Sequence, residues 1–241
     1  MIEERAPQLT VVIPACNEEL NLPSTISQVV GRLELLGCAF EIIVVDDGST
    51  DGTPGVVGTL ADKDTRIRLA ANRENLGIAR TFARGVGLAR GEWVILIPAD
   101  LAMDPDQIED FLEASKSADI VLGIRSDRRD SSPLRRLVSE VNILLIKILF
   151  RMRQRQFNFV TMYRRAIFRR FDVNSSSVFF HAEILIKARD AGFRISELDV
   201  RYVPRAHGKT STSHPRVVLA TLREMLGFWW SWRPVRPSLA G

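Results

Sequence analysis

The sequence predicts an α/β protein with a doubly wound, mostly parallel sheet, in a single domain ending in C-terminal amphipathic helices. Short apolar runs alternate with segments of helical periodicity along most of the chain, the pattern of a right-handed βαβαβ succession. Two of the apolar runs end in carboxylates, Asn17-Glu18-Glu19 and Asp46-Asp47. They lie about 30 residues apart, the span of one βαβ unit. In open α/β sheets ligands sit outside the carboxyl ends of the strands, so those acidic side chains are candidates for a site.

The elements follow in order. Thr10 to Ala15 and Ile42 to Val45 read as buried strands. Between them a helical pattern runs from Leu20 to Leu36 and stops at Gly37. Thr53-Pro54 reads as an N-cap followed by proline at the first helical position. Arg66 to Ala71 is a short strand, and Asn72-Arg73-Glu74-Asn75-Leu76-Gly77 leads into a helix ending at Ala89. Glu92 to Ile97 is another buried strand, and Asp104-Pro105 starts a helix with a carboxylate cap. Asp119 to Gly123 is the next strand, and His214-Pro215 opens a final helix.

Composition sets limits on function. A chain of 241 residues holds one α/β domain with a large core. Its 33 basic and 29 acidic residues leave a net charge of +4. No basic stripe is interleaved with stacking aromatics, so nucleic acid is not an expected partner. Cys16 and Cys38 form neither a metal pattern nor a disulfide framework, which makes a reducing cytoplasm the default. His181, His207 and His214 lack metal-ligand spacing. The opening Met-Ile-Glu-Glu-Arg lacks the basic-then-apolar layout of a signal peptide. No stretch approaches the roughly 18 uninterrupted apolar residues of a membrane-spanning helix.

The motifs Val12-Ile13-Pro14-Ala15-Cys16-Asn17-Glu18 and Val45-Asp46-Asp47-Gly48-Ser49-Thr50-Asp51-Gly52-Thr53 together resemble the nucleotide-binding half of glycosyltransferase family 2. The resemblance implies a GT-A type, Rossmann-like fold. It implies that Pro14, Ala15, Asn17 and Glu18 line the nucleotide pocket, and that Asp46 accepts hydrogen bonds from the base. Asp47, Gly48 and Ser49 would shape the adjoining turn.

In that family the next strand end usually reads Asp-x-Asp and holds Mg²⁺ or Mn²⁺ against the donor diphosphate. Here the segment is Pro98-Ala99-Asp100-Leu101-Ala102-Met103-Asp104. Pro98 replaces the first carboxylate, and Asp100 matches the second, metal-facing one. Asp104 is more economically a helix cap than a ligand. A hard cation takes one or two carboxylates plus substrate phosphates, so Asp100 implies a weakly held metal completed by the diphosphate.

Later segments resemble the dolichol-phosphate mannosyltransferase and bacterial polyprenyl-phosphate branch. Gly123-Ile124-Arg125 matches its strand end, and Arg135 and Ser139, four residues apart, share a helix face as in its acceptor-phosphate site. Phe180-His181-Ala182-Glu183 and Ile195-Ser196-Glu197-Leu198-Asp199-Val200 match two further segments, with Asp199 standing where the branch has proline. Arg205-Ala206-His207-Gly208-Lys209-Thr210 resembles its loop over the donor phosphates, giving Arg205 and Lys209 as phosphate-clamping cations.

The apolar helix through Val141 to Phe150 continues into the basic turn Arg151-Met152-Arg153-Gln154-Arg155. It suits a membrane interface or an ordinary core helix, and the acceptor resemblance favours the membrane. Phe228, Trp229, Trp230 and Trp232 fit an interfacial belt, a dimer contact or a cover for the sheet. The expected organisation is a catalytic domain over residues 1–215 and an amphipathic helix and tail over 216–241. Within the domain, a nucleotide half (about 8–100) precedes an acceptor half (about 101–215).

The expected activity is inverting transfer of mannose or glucose from GDP-mannose or UDP-glucose to a polyprenyl or dolichyl phosphate. Catalysis would fall to Asp100 and Arg205 on the cytoplasmic face of a membrane, with a transmembrane partner subunit or a second copy as a further partner. An impaired binding subunit and a soluble enzyme with a saccharide acceptor are the competing expectations.

Overall fold

Strands buried on both faces read as continuous apolar runs, and Leu9-Thr-Val-Val-Ile-Pro-Ala15 and Phe40-Glu-Ile-Ile-Val-Val-Asp46 form the middle of the sheet for that reason. A computed structural model describes residues 6–126, 133–203 and 215–232. Its strands are β1 (Leu9–Ala15), β2 (Phe40–Asp46), β3 (Ile67–Ala71), β4 (Trp93–Leu96), β5 (Ile120–Arg125), β6 (Thr161–Arg164) and β7 (Ile195–Val200). The helices are α1 (Leu22–Leu35), α2 (Thr53–Lys63), α3 (Ile78–Leu88), α4 (Ile108–Ser115), α5 (Pro133–Phe150), α6 (Phe180–Asp190) and α7 (Pro215–Ser231).

The seven strands lie in the order β3-β2-β1-β4-β6-β5-β7. Neighbours are parallel except β6, which runs antiparallel to both β4 and β5. From β1 the chain builds outward through β2 and β3 on one side and returns to β4 on the other. The switch point therefore falls between β1 and β4, where an open sheet offers its crevice.

Alternate side chains feed two cores. Leu9, Val11 and Ile13 join Leu22, Ile26, Val29 and Leu33 of α1 and Phe111 of α4 on one face. Val12, Ile43 and Val45 join Phe82 of α3, Phe150 of α5, Ile184 of α6 and Met225 of α7 on the other. Glu41 is one of the carboxylates buried in this frame. Glu41, 1% exposed, accepts from Thr10 Oγ1 at 2.7 Å, the Arg90 N–H at 2.6 Å and Arg68 Nη2 at 2.7 Å.

Helix α1 ends as expected at Gly37, whose φ of +59° suits glycine. Its N–H bonds the Glu34 carbonyl, and the Cys38 N–H bonds that of Leu33. Two local expectations are corrected. Thr53 is inside α2, preceded by Gly52, and its hydroxyl accepts the Glu18 N–H at 2.9 Å instead of capping the helix. Helix α5 stops at Phe150, because Arg151 adopts φ +54° and turns the chain away. Arg155 then reaches β7, pairing with Glu197 at 2.7 Å and with Asp199 at 2.9 Å, so residues 151–155 are no helical basic turn.

Helix α7 packs onto the core. Phe228 lies 5.5 Å and Trp232 5.7 Å from the Phe150 ring, and Trp232 Nε1 donates to Asp190 at 3.0 Å. The aromatic cluster of this helix is thus split, with Trp230 turned outward at 80% exposure.

Candidate nucleotide and phosphate site

The carboxyl ends of β1, β2 and β4 are adjacent in the sheet, which brings Pro14, Ala15, Asn17, Glu18, Asp46, Asp47, Ser49 and Asp100 to one rim. The first two loops are stitched together. Asn17, at φ +56°, donates its N–H to Ser49 Oγ at 2.9 Å. Its side-chain oxygen takes the Thr50 N–H at 2.8 Å. Glu18 Oε2 accepts from Asn21 at 2.7 Å, and Glu19 Oε2 accepts the Gly52 N–H at 2.6 Å. The Asn-Glu motif therefore shapes the loop pair as well as lining it.

Asp46 and Asp47 differ sharply in their bonding. Asp47 accepts from Asn72 Nδ2 at 2.8 Å and from the Leu76 and Gly77 N–H groups, both at 2.9 Å. Burial works to raise its carboxyl, but the bonds from Leu76, Asn72, Thr81 and Gly77 outweigh that and hold it below the usual carboxylate range. Asp46, 3% exposed, takes the Ser49 N–H through Oδ1 at 3.3 Å. One carboxylate is saturated by the loop over residues 72–77, and its neighbour is lightly held. Gly48 lies under that loop at φ +70°, where a Cβ would stand 2.6 Å from the Glu74 carbonyl carbon.

Cys16, at the end of β1, accepts from Asn75 Nδ2 at 3.3 Å, and burial pushes its thiol up.

The third wall is the turn carrying Asp100. The Ile97 N–H bonds the Val12 carbonyl at 3.0 Å, extending the β4–β1 pairing. The Leu101 N–H closes onto the Pro98 carbonyl at 3.0 Å, with Leu101 at φ +44°. Thr25 of α1 donates to the Ala99 carbonyl at 2.7 Å, locking the turn from beneath. Asp104 behaves as the expected cap, accepting the Asp106 N–H at 3.0 Å, and it also pairs with Arg201 at 2.8 Å. Asp104 is thus engaged by the cap and the ion pair, and Asp100 lies on the turn that follows β4. Among the described residues no group of three or more His, Cys, Asp or Glu side chains could hold a metal. A cation that takes one or two carboxylates plus substrate phosphates would find one carboxylate on this turn, Asp100.

On the far side of the crevice, Arg125 ends β5. Gln156 grips its backbone, accepting its N–H at 3.2 Å and donating to its carbonyl at 2.9 Å. Its guanidinium stacks on Tyr202, 3.3 Å from the ring centroid. Ser139 is half-buried on α5. The Arg135 side chain, Arg205 and Lys209 lie outside the described residues.

Sequence reasoning missed Asn72, Gln156 and Tyr202. Only the Asn-rich run after β3 carried a readable signal. Glu183 is structural: fully buried, it accepts the Asn174 and Ser175 N–H groups at 3.0 and 2.8 Å. His181 is equally internal, its imidazole pushed down to about 3 by burial.

Two strand-end loops bearing Asn-Glu and Asp-Asp, with a third carboxylate on the turn after β4, occupy the switch point of a GT-A type sheet. The family model described as Glycosyl transferase family 2 matches residues 10–176. The chain belongs to glycosyl transferase family 2.

Among curated members of the family, the chain is 33% identical over 242 residues to the glycosyltransferase AglD of Haloferax volcanii, covering 96% of this chain and 38% of that one. It is 31% identical over 216 residues to the undecaprenyl-phosphate 4-deoxy-4-formamido-L-arabinose transferase of Pseudomonas paraeruginosa, covering 87% and 62%. The chain thus spans less than two thirds of either relative. Glucosyl-3-phosphoglycerate synthase of Mycobacterium tuberculosis with bound UDP shares the fold at TM-score 0.71 and 18% identity, covering 93% of this chain and 80% of that one. The same enzyme with Mn²⁺, UDP and product superposes at TM-score 0.68 and 20% identity, with 92% and 80% covered.

Proposed function

We propose that this chain transfers a hexosyl group, mannose or glucose, from a nucleotide sugar to a polyprenyl or dolichyl phosphate at a membrane surface. The observation that carries the reading is the division of labour at the rim, with Asp47 consumed by the fold and Asp46 lightly held beside Asp100. GDP-mannose and UDP-glucose are the donors that the family motifs suit. The polyprenyl phosphate acceptor is supported by the undecaprenyl-phosphate transferase relative.

The acceptor phosphate is largely a dianion near neutral pH and needs little base assistance. One of its oxygens attacks the anomeric carbon as the bond to the nucleoside diphosphate breaks, inverting that centre. Asp46 accepts from the base, Asn17, Glu18 and Ser49 keep the pocket walls in register, and Pro14 and Ala15 floor it. Arg125, Arg135 and Ser139 orient the acceptor phosphate, while Arg205 and Lys209 close on the donor. Alignment and charge stabilisation then supply the rate. Mg²⁺ or Mn²⁺, when bound at Asp100, neutralises charge on the departing diphosphate.

Surface chemistry supports the membrane. Leu137, Val141, Leu144 and Ile148 form one exposed stripe along α5, and Leu219, Leu226 and Trp230 form another on α7, which packs beside it. Arg151, Arg153 and Arg223 are exposed cations on the same two segments. No helix among the described residues is long and apolar enough to cross a membrane. The proposed seating is peripheral, on the cytoplasmic leaflet. A transmembrane partner or a second copy would use the same stripes.

Pro98 favours a second reading, a member that binds nucleotide sugar or lipid phosphate with little turnover. Incubation with radiolabelled nucleotide sugars and polyprenyl phosphate decides between them. Label extracted into the lipid phase supports the enzyme, and nucleotide binding without such label supports the binding subunit.

A further inference from the structure

The residues on either side of the crevice are cross-braced by a short segment that the family motifs do not include. Residues 201–203 leave β7 and pair antiparallel with residues 102–104, the continuation of the Asp100 turn, through a Met103–Tyr202 bridge. The Val203 N–H bonds the Ala102 carbonyl at 3.3 Å, and the Asp104 N–H bonds that of Arg201 at 3.4 Å. Gln107 fastens the same segment twice, accepting the Arg201 N–H at 2.7 Å and donating to the Asp199 carbonyl at 3.0 Å. The Arg201–Asp104 ion pair at 2.8 Å adds a further tie. Tyr202 is therefore held in register with Asp100, and its ring carries the Arg125 guanidinium at 3.3 Å.

We infer that Tyr202 is a positioning residue for the acceptor phosphate. Its ring fixes the plane of Arg125 while its backbone refers that plane to the Asp100 turn. A guanidinium that meets phosphate through two parallel N–H bonds depends on its orientation, which stacking on an aromatic face supplies. Gln156 holds the backbone of Arg125, and the Tyr202 ring meets its head group face to face. The inference rests on the proposed acceptor role of Arg125 and adds to it the residue that sets its geometry.

The test is steady-state transfer to a short, soluble polyprenyl phosphate by the full chain. Tyr202→Leu removes the π face and keeps bulk, and should raise the acceptor KM by about fivefold to tenfold, the scale of one cation–π contact. The donor KM should stay within about twofold, a split that a general loosening of the fold does not produce. Tyr202→Phe and Tyr202→Trp, which keep a π face, should restore the acceptor KM. In an Arg125→Lys background, which has no planar cation, adding Tyr202→Leu should cause no further rise. An unchanged acceptor KM in Tyr202→Leu, equal rises for donor and acceptor, or failure of Tyr202→Phe to restore it would overturn the inference alone. Absence of transfer by the unaltered chain would overturn the acceptor reading and this inference with it.

Discussion

At the scale of single residues, the site turns on two neighbouring carboxylates with opposite fates. Asp47 holds three donors from Asn72, Leu76 and Gly77, so it serves the fold. Asp46 holds the Ser49 N–H at 3.3 Å, so it can serve a ligand. Losing one charge-assisted hydrogen bond costs about 1.5–3 kcal/mol. Asp46→Ala should therefore weaken nucleoside-diphosphate binding at least about tenfold by calorimetry, without lowering the melting temperature by more than a few degrees. Asp47→Ala should instead lower the melting temperature first. Unchanged affinity in a folded Asp46→Ala protein would displace the base from this pocket. Asp100 makes a separate prediction. Activity should need added divalent metal in excess, and Asp100→Asn should cut it about a hundredfold, roughly 2.7 kcal/mol at the transition state. Full turnover in EDTA would instead assign the diphosphate charge to cationic side chains alone.

At the scale of elements, the central parallel strands were legible because both their faces are buried and their sequences are unbroken apolar runs. Strand β6 was not, since four residues carry no period and its partners β4 and β5 lie far away in sequence. The two acidic motifs were legible as neighbouring strand ends. Their division of labour was not, because the donors that saturate Asp47 come from residues 25 to 30 positions away. Arg155 was misread for the same reason, its partners being Glu197 and Asp199 on β7. The membrane test accordingly uses Arg151 and Arg153, both exposed. Each cation near anionic lipid contributes about 1 kcal/mol. Arg151→Gln with Arg153→Gln should weaken flotation with anionic vesicles at low salt, as should Leu144→Glu with Ile148→Glu. A chain that ignores vesicles at low salt would assign the stripes to a protein contact. Glu41 gives an element-scale dependence on pH. Burial raises its carboxyl, but bonds from Arg90 and Thr10 and the Arg68 charge outweigh this and lower it. Its stabilisation is therefore full above the ordinary glutamate value of about 4.3 and is lost as pH falls through the lower folded value. Denaturant midpoints of the unaltered chain and Glu41→Gln should differ at pH 7 and converge in acid. An equal difference at both would contradict this assignment.

At the scale of the whole molecule, the fold sets the loops at the ends of β1, β2 and β4, the proposed donor site, on the same sheet as Arg125 at the end of β5, the proposed acceptor cation. The intervening β6 runs antiparallel, and α5 and α7, each with an exposed apolar stripe, pack beside one another. The proposed site residues are already held in place, with Thr25 beneath the Asp100 turn and Gln156 and Tyr202 about Arg125. Such preorganisation suits direct displacement by a phosphate that is already ionised. The most direct test is the structure of the product formed from an α-linked nucleotide sugar and polyprenyl phosphate, read by NMR after lipid extraction. The account predicts a lipid phosphodiester whose phosphorus couples to an anomeric proton of β configuration. Label recovered only as free hexose, or a lipid product that keeps the α configuration, would contradict it.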